Sequence, residues 1–229
     1  MSEPFPENFG RLHEWEEALR HKALSLIAAD AGLSLHLAVV EQAMDVADLL
    51  RQVPTEDEDL KVVQMLGMRL FNAFAAGLKL ALSGYGQNSA LILRGVLETV
   101  FLVDYFGTDR AAIARWRIAD AKARRTEFAP VKIRDALDER DGFTGKKRAR
   151  HYTIFSELAA HPTMKSVWMM RPQKDGDAVS GPFVEKDSLK AVLEEMGRLA
   201  VSVGELLCPF FPDPALRARL ASMRRRSAG

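Results

Sequence analysis

The sequence contains a single cysteine, Cys208, among its 229 residues. One thiol excludes an intramolecular disulfide bond and a thiolate-rich metal site. Cys208 lies in the apolar run 206–211, which is typical of a packed thiol. The Glu-x-x-His, His-Glu-x-x-His and Gly-x-Ser-x-Gly spacings of di-iron, zinc-protease and serine-hydrolase sites do not occur. We therefore predict neither a bound metal ion nor a cofactor.

The sequence also lacks a long uncharged apolar run and a basic N-terminal leader. Its apolar stretches are interrupted by charged residues before the roughly 18 residues that a membrane span needs. The N-terminus is acidic and proline-rich, unlike a signal peptide. These features predict a cytoplasmic protein without a membrane contact. Lys and Arg total 32 against 31 Asp and Glu, so the overall charge does not favour nucleic acid as a partner.

Helical periodicity of the apolar residues dominates the chain. It predicts an all-α bundle of about eight helices, near residues 10–29, 34–53, 55–82, 89–106, 108–125, 130–140, 144–161 and 188–207. Ser34 is a candidate N-cap, and Thr55 with Glu58 has the spacing of a capping box. Residues 167–184 instead predict a loop or a short β-hairpin.

No linker rich in proline, glycine or serine divides the chain. We therefore predict one helical domain over residues 1–229, with flexible ends at 1–9 and 224–229. The high apolar content and the long helices favour a homodimer.

The predicted fourth helix is apolar nearly all the way round, which is typical of a helix buried on most sides. Its polar side chains share one stripe, because Arg94, Glu98 and Tyr105 fall within about 60° of one another on a helix. Arg94 and Glu98 are four residues apart and can form an ion pair. Two interpretations stay open: an internal ion pair that fixes helix packing, or the lining of a cavity in which Arg94 holds an anion.

The segment from Ser156 to Pro162 ends the predicted seventh helix. His161 lies in the last turn, and Pro162 forces the chain out of the helix. A histidine at this position can act as a general acid or base, or it can cap the helix. We predict one ligand-binding site made of Arg94, Glu98, Tyr105, Ser156 and His161, with His161 as the candidate catalytic residue.

Three basic clusters, at residues 122–125, 146–150 and 224–226, could contact an anionic partner. Cations at the end of a helix are expected from the helix dipole, which accounts for the first cluster. Cations at the start of a helix oppose the dipole, so the second cluster could bind phosphates of RNA. A solvated surface is the alternative interpretation.

Two short motifs resemble those of a known group of proteins. They are R-x-x-x-E (Arg94, Glu98) on an apolar helix and S-x-x-x-x-H-P-T (Ser156, His161, Pro162, Thr163). Together they resemble a group of bacterial helical proteins of unknown function, distantly similar to the HEPN superfamily (higher eukaryote and prokaryote nucleotide-binding domains). The resemblance covers about residues 65–211.

Many HEPN proteins are metal-independent ribonucleases of toxin and defence systems, and they use an R-x(4–6)-H motif that dimerisation completes. The resemblance implies an acid–base role for His161. The arginine of the motif has no counterpart here, because Ser156 stands five residues before His161 and Arg150 stands eleven before it. Three functions are therefore open: binding of a small or anionic ligand or a partner protein, a HEPN-like ribonuclease, and a non-catalytic dimeric scaffold.

Overall fold

The computed structural model describes residues 6–173, 175–214 and 217. Within these residues the fold is all-α, with nine α-helices and no β-strand. In chain order the helices are α1 (Glu7–Ala28), α2 (Ala31–Arg51), α3 (Glu58–Leu82), α4 (Gly86–Thr108), α5 (Ala111–Ile118), α6 (Ala121–Thr126), α7 (Pro130–Arg140), α8 (Lys147–Phe155) and α9 (Lys186–Leu207). A π-helical turn (Ser156–Ala160) continues α8, and 3₁₀ turns occupy Ser166–Met170 and Cys208–Phe210. The predicted fold class is confirmed.

Carboxylates rather than hydroxyls begin α2 and α3. Asp30 accepts a hydrogen bond from the Gly32 amide at 3.0 Å and caps α2, so the prediction that Ser34 caps this helix is wrong. Asp57 caps α3, and Thr55 accepts from the Asp57 amide in the preceding turn instead of forming a capping box. A carboxylate close to a helix start satisfies the free amides and suits the dipole.

Three predicted helix boundaries also differ. The expected helix over 108–125 is two helices, because the chain is extended at Ala119 and Asp120 caps α6 through the Ala123 amide at 2.7 Å. The seventh predicted helix begins at Lys147 and ends in the π-helical turn. Residues 7–9 are helical and not a flexible end. The remaining terminal predictions, residues 1–5 and 224–229, lie outside the described residues.

The segment between the 3₁₀ turn at 166–170 and α9 is a loop in the described residues, not a hairpin. Val179 donates to the Met170 carbonyl at 3.0 Å, without a ladder of strand pairs around it. Phe183 donates to the Gly84 carbonyl at 3.1 Å. A Cβ at Gly84, where φ is +90°, would lie 2.7 Å from the Phe183 nitrogen, so this approach requires glycine.

The helix α4 lies at the centre of the fold and packs against α3, α7, α8 and α9. Its buried side chains join the main core, which includes Phe74 of α3 and Met196 of α9. A smaller core joins α1 to the start of α9 through Leu19, Ile27 and Leu193. The prediction that the fourth helix is buried on most sides is confirmed.

Among the described residues, α3 alone is long and apolar enough to span a membrane. The pair α1–α2, which bends by 107° at its break, passes the same composition test together. A core helix of a folded domain has the same length and composition, so this is a weak indication of a span.

Candidate functional site

The polar stripe of α4 faces α8, where it meets a tyrosine. The Tyr152 hydroxyl donates to Glu98 Oε1 at 2.9 Å, and Arg94 donates to the Tyr152 oxygen. Arg94 Nη2 lies 3.4 Å from Glu98 Oε1, so the predicted ion pair is present. The side chains of Arg94 and Glu98 are 27% and 33% exposed, which leaves both within reach of solvent.

Arg134 of α7 joins this group, and it is only 8% exposed. Its Cζ lies 4.2 Å from the centroid of the Tyr152 ring, and the Cζ of Arg94 lies 4.7 Å from the same centroid. Nε and Nη1 of Arg134 and Nε of Arg94 are buried and have no hydrogen-bond partner among the described residues. We call Arg94, Glu98, Arg134 and Tyr152 the Tyr152 cluster. The cluster contains two guanidinium groups and one carboxylate, which pairs with Arg94, and this leaves an excess positive charge.

Asp138, the buried carboxylate of α7, does not balance this charge, because it belongs to a separate ion-pair network. The network consists of Asp104, Asp138, Arg140, Asp141 and Arg148. Asp138 lies one turn after Arg134, but its carboxylate binds Nη1 of Arg148 at 2.8 Å. Hydrogen bonds from Arg140 and Arg148 lower the pKa of Asp141 below its ordinary value.

The same network changes the interpretation of the basic cluster at 146–150. Arg148 is bound to carboxylates, and Nε of Arg150 donates to the Gly145 carbonyl at 2.9 Å. Both arginines therefore have partners within the chain. A phosphate would have to compete with those partners at the two arginines, and the predicted phosphate contact of the whole cluster stays a prediction.

Ser156 lies in the π-helical turn and is buried, with an Oγ that has no partner among the described residues. This turn runs antiparallel to α4. Gln87, at the start of α4, donates to the Leu158 carbonyl at 3.3 Å, whereas Tyr152 contacts the middle of α4. Ser156 therefore lies beside α4 between these two contacts, one helical turn after Tyr152.

The structure does not bring His161 or Tyr105 to the Tyr152 cluster. The helical path ends at Ala160, and His161 is extended (φ −110°, ψ 143°), as expected for a residue before proline. The His161 amide donates to the Ser156 carbonyl at 2.9 Å, but its exposed imidazole makes no hydrogen bond or ion pair in the described part of the chain. Tyr105 is half-buried against the main core instead. Arg94 and Glu98 are the predicted site residues that contact each other, and Ser156 lies one helical turn after Tyr152.

A cleft of about 450 Å³ adjoins the cluster, and Glu98 belongs to both. Its walls are residues of α3, α4, α5, the turn before α7 and the start of α7: Met65, Leu66, Arg69, Glu98, Thr99, Phe101, Leu102, Trp116, Phe128, Pro130 and Ile133. Nε of Arg69 lies 3.4 Å from the Thr99 hydroxyl. We call this space the α3–α7 cleft. It is mainly apolar and aromatic, with charged groups along one side.

A larger cavity, of about 880 Å³, lies between the 3₁₀ turn at 166–170 and the start of α9. Trp168, Arg171 and Phe183 are among its lining residues, whereas no predicted site residue is. The first residues of α9 are engaged elsewhere, since Lys186 Nζ lies 3.0 Å from Asp30. Arg171, which lines this cavity, also has a buried Nε without a partner among the described residues, but the residue is half-buried, whereas Arg134 is 8% exposed and has two such nitrogens.

Two further titratable groups lie near the core. Nε2 of His151 lies 3.3 Å from Glu195 of α9, and this hydrogen bond lowers the pKa of Glu195. Cys208 is half-buried, and burial raises the pKa of its thiol, in keeping with the packed thiol that the sequence predicts.

Comparison of the chain with protein-family models, with curated proteins and with solved structures finds no match. The resemblance to HEPN proteins therefore stays a prediction. A functional proposal for this chain therefore rests on the contacts and charges of its side chains.

Proposed function

We propose that this protein binds a small anionic molecule at the Tyr152 cluster. The observation that supports the proposal is Arg134, a guanidinium that is 8% exposed and has two buried nitrogens without a partner. A buried unpaired charge costs several kcal/mol, and a cation–π contact returns only about 0.5–2 kcal/mol. An anion bound to Arg134 would supply the missing counter-charge.

Each residue of the cluster has a distinct role in this proposal. Arg94 and Arg134 present planar donors that match a carboxylate or a phosphate group. Glu98 compensates part of the charge of Arg94, and its bond with the Tyr152 hydroxyl fixes the ring between the helices. No residue here is placed as a nucleophile or a general base, so the proposal is one of binding.

The test is calorimetric titration with acetate and with inorganic phosphate at low ionic strength. We expect Arg134→Met to weaken anion binding by at least about tenfold, because a charge-assisted hydrogen bond contributes about 1.5–3 kcal/mol. Arg20→Met is the matched control, since the Arg20 side chain is 39% exposed and pairs with Glu17, far from the cleft in the chain. Equal binding by the wild type and Arg134→Met, or no binding by either, would overturn the proposal.

The other two functions stay as alternative hypotheses. In the ribonuclease hypothesis the exposed His161 would need an arginine from elsewhere, and Arg148 and Arg150 are engaged within the chain. Cleavage of RNA that His161→Ala abolishes would support it. The dimeric scaffold needs a homodimer, which light scattering during gel filtration would measure.

A further inference from the structure

The α3–α7 cleft has the walls of a site for an apolar group. Phe101 and Phe128 are buried, Trp116 is half-buried, and all three present aromatic surface to the cleft. Its volume of about 450 Å³ falls within the range of small-molecule sites in proteins. A free inorganic anion would leave this apolar surface uncovered, whereas an aromatic ring or a short alkyl chain would fill it.

Charged groups line one side of the cleft. Arg69 is exposed and has no ion-pair partner in the described part of the chain. Glu98 lines the same cleft, but its carboxylate already binds the Tyr152 hydroxyl and pairs with Arg94. The charge on Glu98 is therefore largely compensated, and an acidic group at this side meets a net positive environment.

We infer that the ligand is an amphipathic acid, with an aromatic or short aliphatic body in the α3–α7 cleft and a carboxylate or phosphate group toward Arg69 and the Tyr152 cluster. This inference rests on the proposed function and names the class of ligand. It follows from Glu98, which lines the cleft and pairs with Arg94 of the cluster, and from Ile133, which lines the cleft next to Arg134 in the chain. Two interactions supply the binding energy: burial of the apolar part of the ligand in the cleft, and pairing of its acidic group with the arginines.

A series of three compounds separates the two sources by calorimetry: 2-naphthoate, acetate and 2-naphthalenemethanol. We expect 2-naphthoate to bind at least about tenfold more tightly than acetate, because burial of its rings adds apolar contact. If acetate binds as tightly as 2-naphthoate, the inference is wrong and the proposed function stands. If the neutral alcohol binds as tightly as 2-naphthoate, the acid is not recognised in the cleft and the inference is wrong, whereas acetate binding by the wild type and by Arg134→Met decides the proposed function. 2-Naphthyl phosphate then tells whether a phosphate or a carboxylate is preferred.

Two methionines of α3 provide a matched pair of variants. Met65 lines the cleft and is 46% exposed, and Met68 is 40% exposed but lies outside it. Met65→Trp should fill the cleft and weaken 2-naphthoate binding at least about tenfold while acetate binding is unchanged, and Met68→Trp should change neither. Equal effects of the two substitutions, or no effect of Met65→Trp, would contradict the inference.

A measurement on the otherwise unaltered chain covers the case in which Met65→Trp does not fold. The protein labelled with 5-fluorotryptophan has three ¹⁹F signals, from Trp15, Trp116 and Trp168, and single Trp→Phe variants assign them. We expect 2-naphthoate to shift the signal of Trp116, which lines the cleft. A shift of Trp168 alone would place the ligand in the larger cavity, and no shift of Trp116 would overturn the inference.

Discussion

Two buried arginines of this fold should respond in opposite directions to the same substitution. Arg134 has no carboxylate partner, whereas Arg148, whose side chain is 14% exposed, binds the carboxylate of Asp138 at 2.8 Å. Methionine keeps much of the volume of an arginine side chain and removes the charge. The pair Arg134→Met and Arg148→Met therefore compares a charge without a counter-ion with a charge that has one.

The magnitudes follow from the surroundings of each guanidinium. Loss of the Arg134 charge removes a cation–π contact with the Tyr152 ring, which stabilises the fold by about 0.5–2 kcal/mol. It also removes two buried nitrogens without partners, each of which destabilises the fold by about 1–3 kcal/mol. We expect Arg134→Met to raise the free energy of unfolding by about 1–3 kcal/mol. Arg148→Met leaves Asp138, with a 7% exposed side chain, without its partner and should lower that free energy by about 3–5 kcal/mol.

The assay is equilibrium unfolding in urea, followed by circular dichroism at low ionic strength without phosphate or sulfate. A loss of several kcal/mol in Arg134→Met, comparable with that in Arg148→Met, would show that Arg134 anchors the fold and would refute the reasoning. Addition of a bound anion at about one hundred times its Kd should stabilise the wild type by about 2.7 kcal/mol and Arg134→Met far less.

Three further predictions concern single side chains. His161→Ala should change the free energy of unfolding by less than about 0.5 kcal/mol in urea, because the imidazole is exposed and has no partner in the described structure. Since Arg140 lowers the pKa of Asp141, the charged Asp141 carboxylate stabilises the fold above its unfolded pKa of about 3.9. The free energy of unfolding should therefore lose this contribution as the pH falls, and Asp141→Asn should lack it at every pH. Burial and the hydrogen bond to Glu16 raise the pKa of Tyr85 to about 12. The neutral Tyr85 hydroxyl should therefore stabilise the fold fully below about pH 10, and this contribution should decrease from about pH 10 to 12. Tyr85→Phe should remove the decrease when unfolding is measured at alkaline pH.

The part of the site that lies within one helix could be predicted from the sequence. The all-round apolar pattern of α4 indicated its burial, and the four-residue spacing of Arg94 and Glu98 indicated their pairing, because both depend on helix geometry alone. The same local reasoning placed the helix end before Pro162. It could not give the direction of the His161 imidazole, since the extended backbone after Ala160 turns that side chain to solvent.

The part that depends on contacts between helices could not be predicted in this way. Tyr152 meets the polar stripe because α8 runs along α4, and nothing in either helix alone specifies that neighbour. The burial of Arg134 could have been predicted from the sequence, because Ile133 and Leu137 flank it on the buried face of α7. A charged residue on the apolar face of a short helix marks either a buried ion pair or a binding site.

The two cores described above group the described helices into two packing units, with Leu78 of α3 packed against both. The first unit comprises α1 and the chain around Val184, held by the smaller core and by Lys22, whose Nζ lies 2.5 Å from the Val184 carbonyl. The Tyr152 cluster belongs to the other unit, around α4. Because cooperative units of a fold open independently, amides of α1 can exchange with solvent while the binding residues keep their arrangement. Occupancy of the cluster would then slow amide exchange around α4 and leave exchange in α1 almost as fast as before.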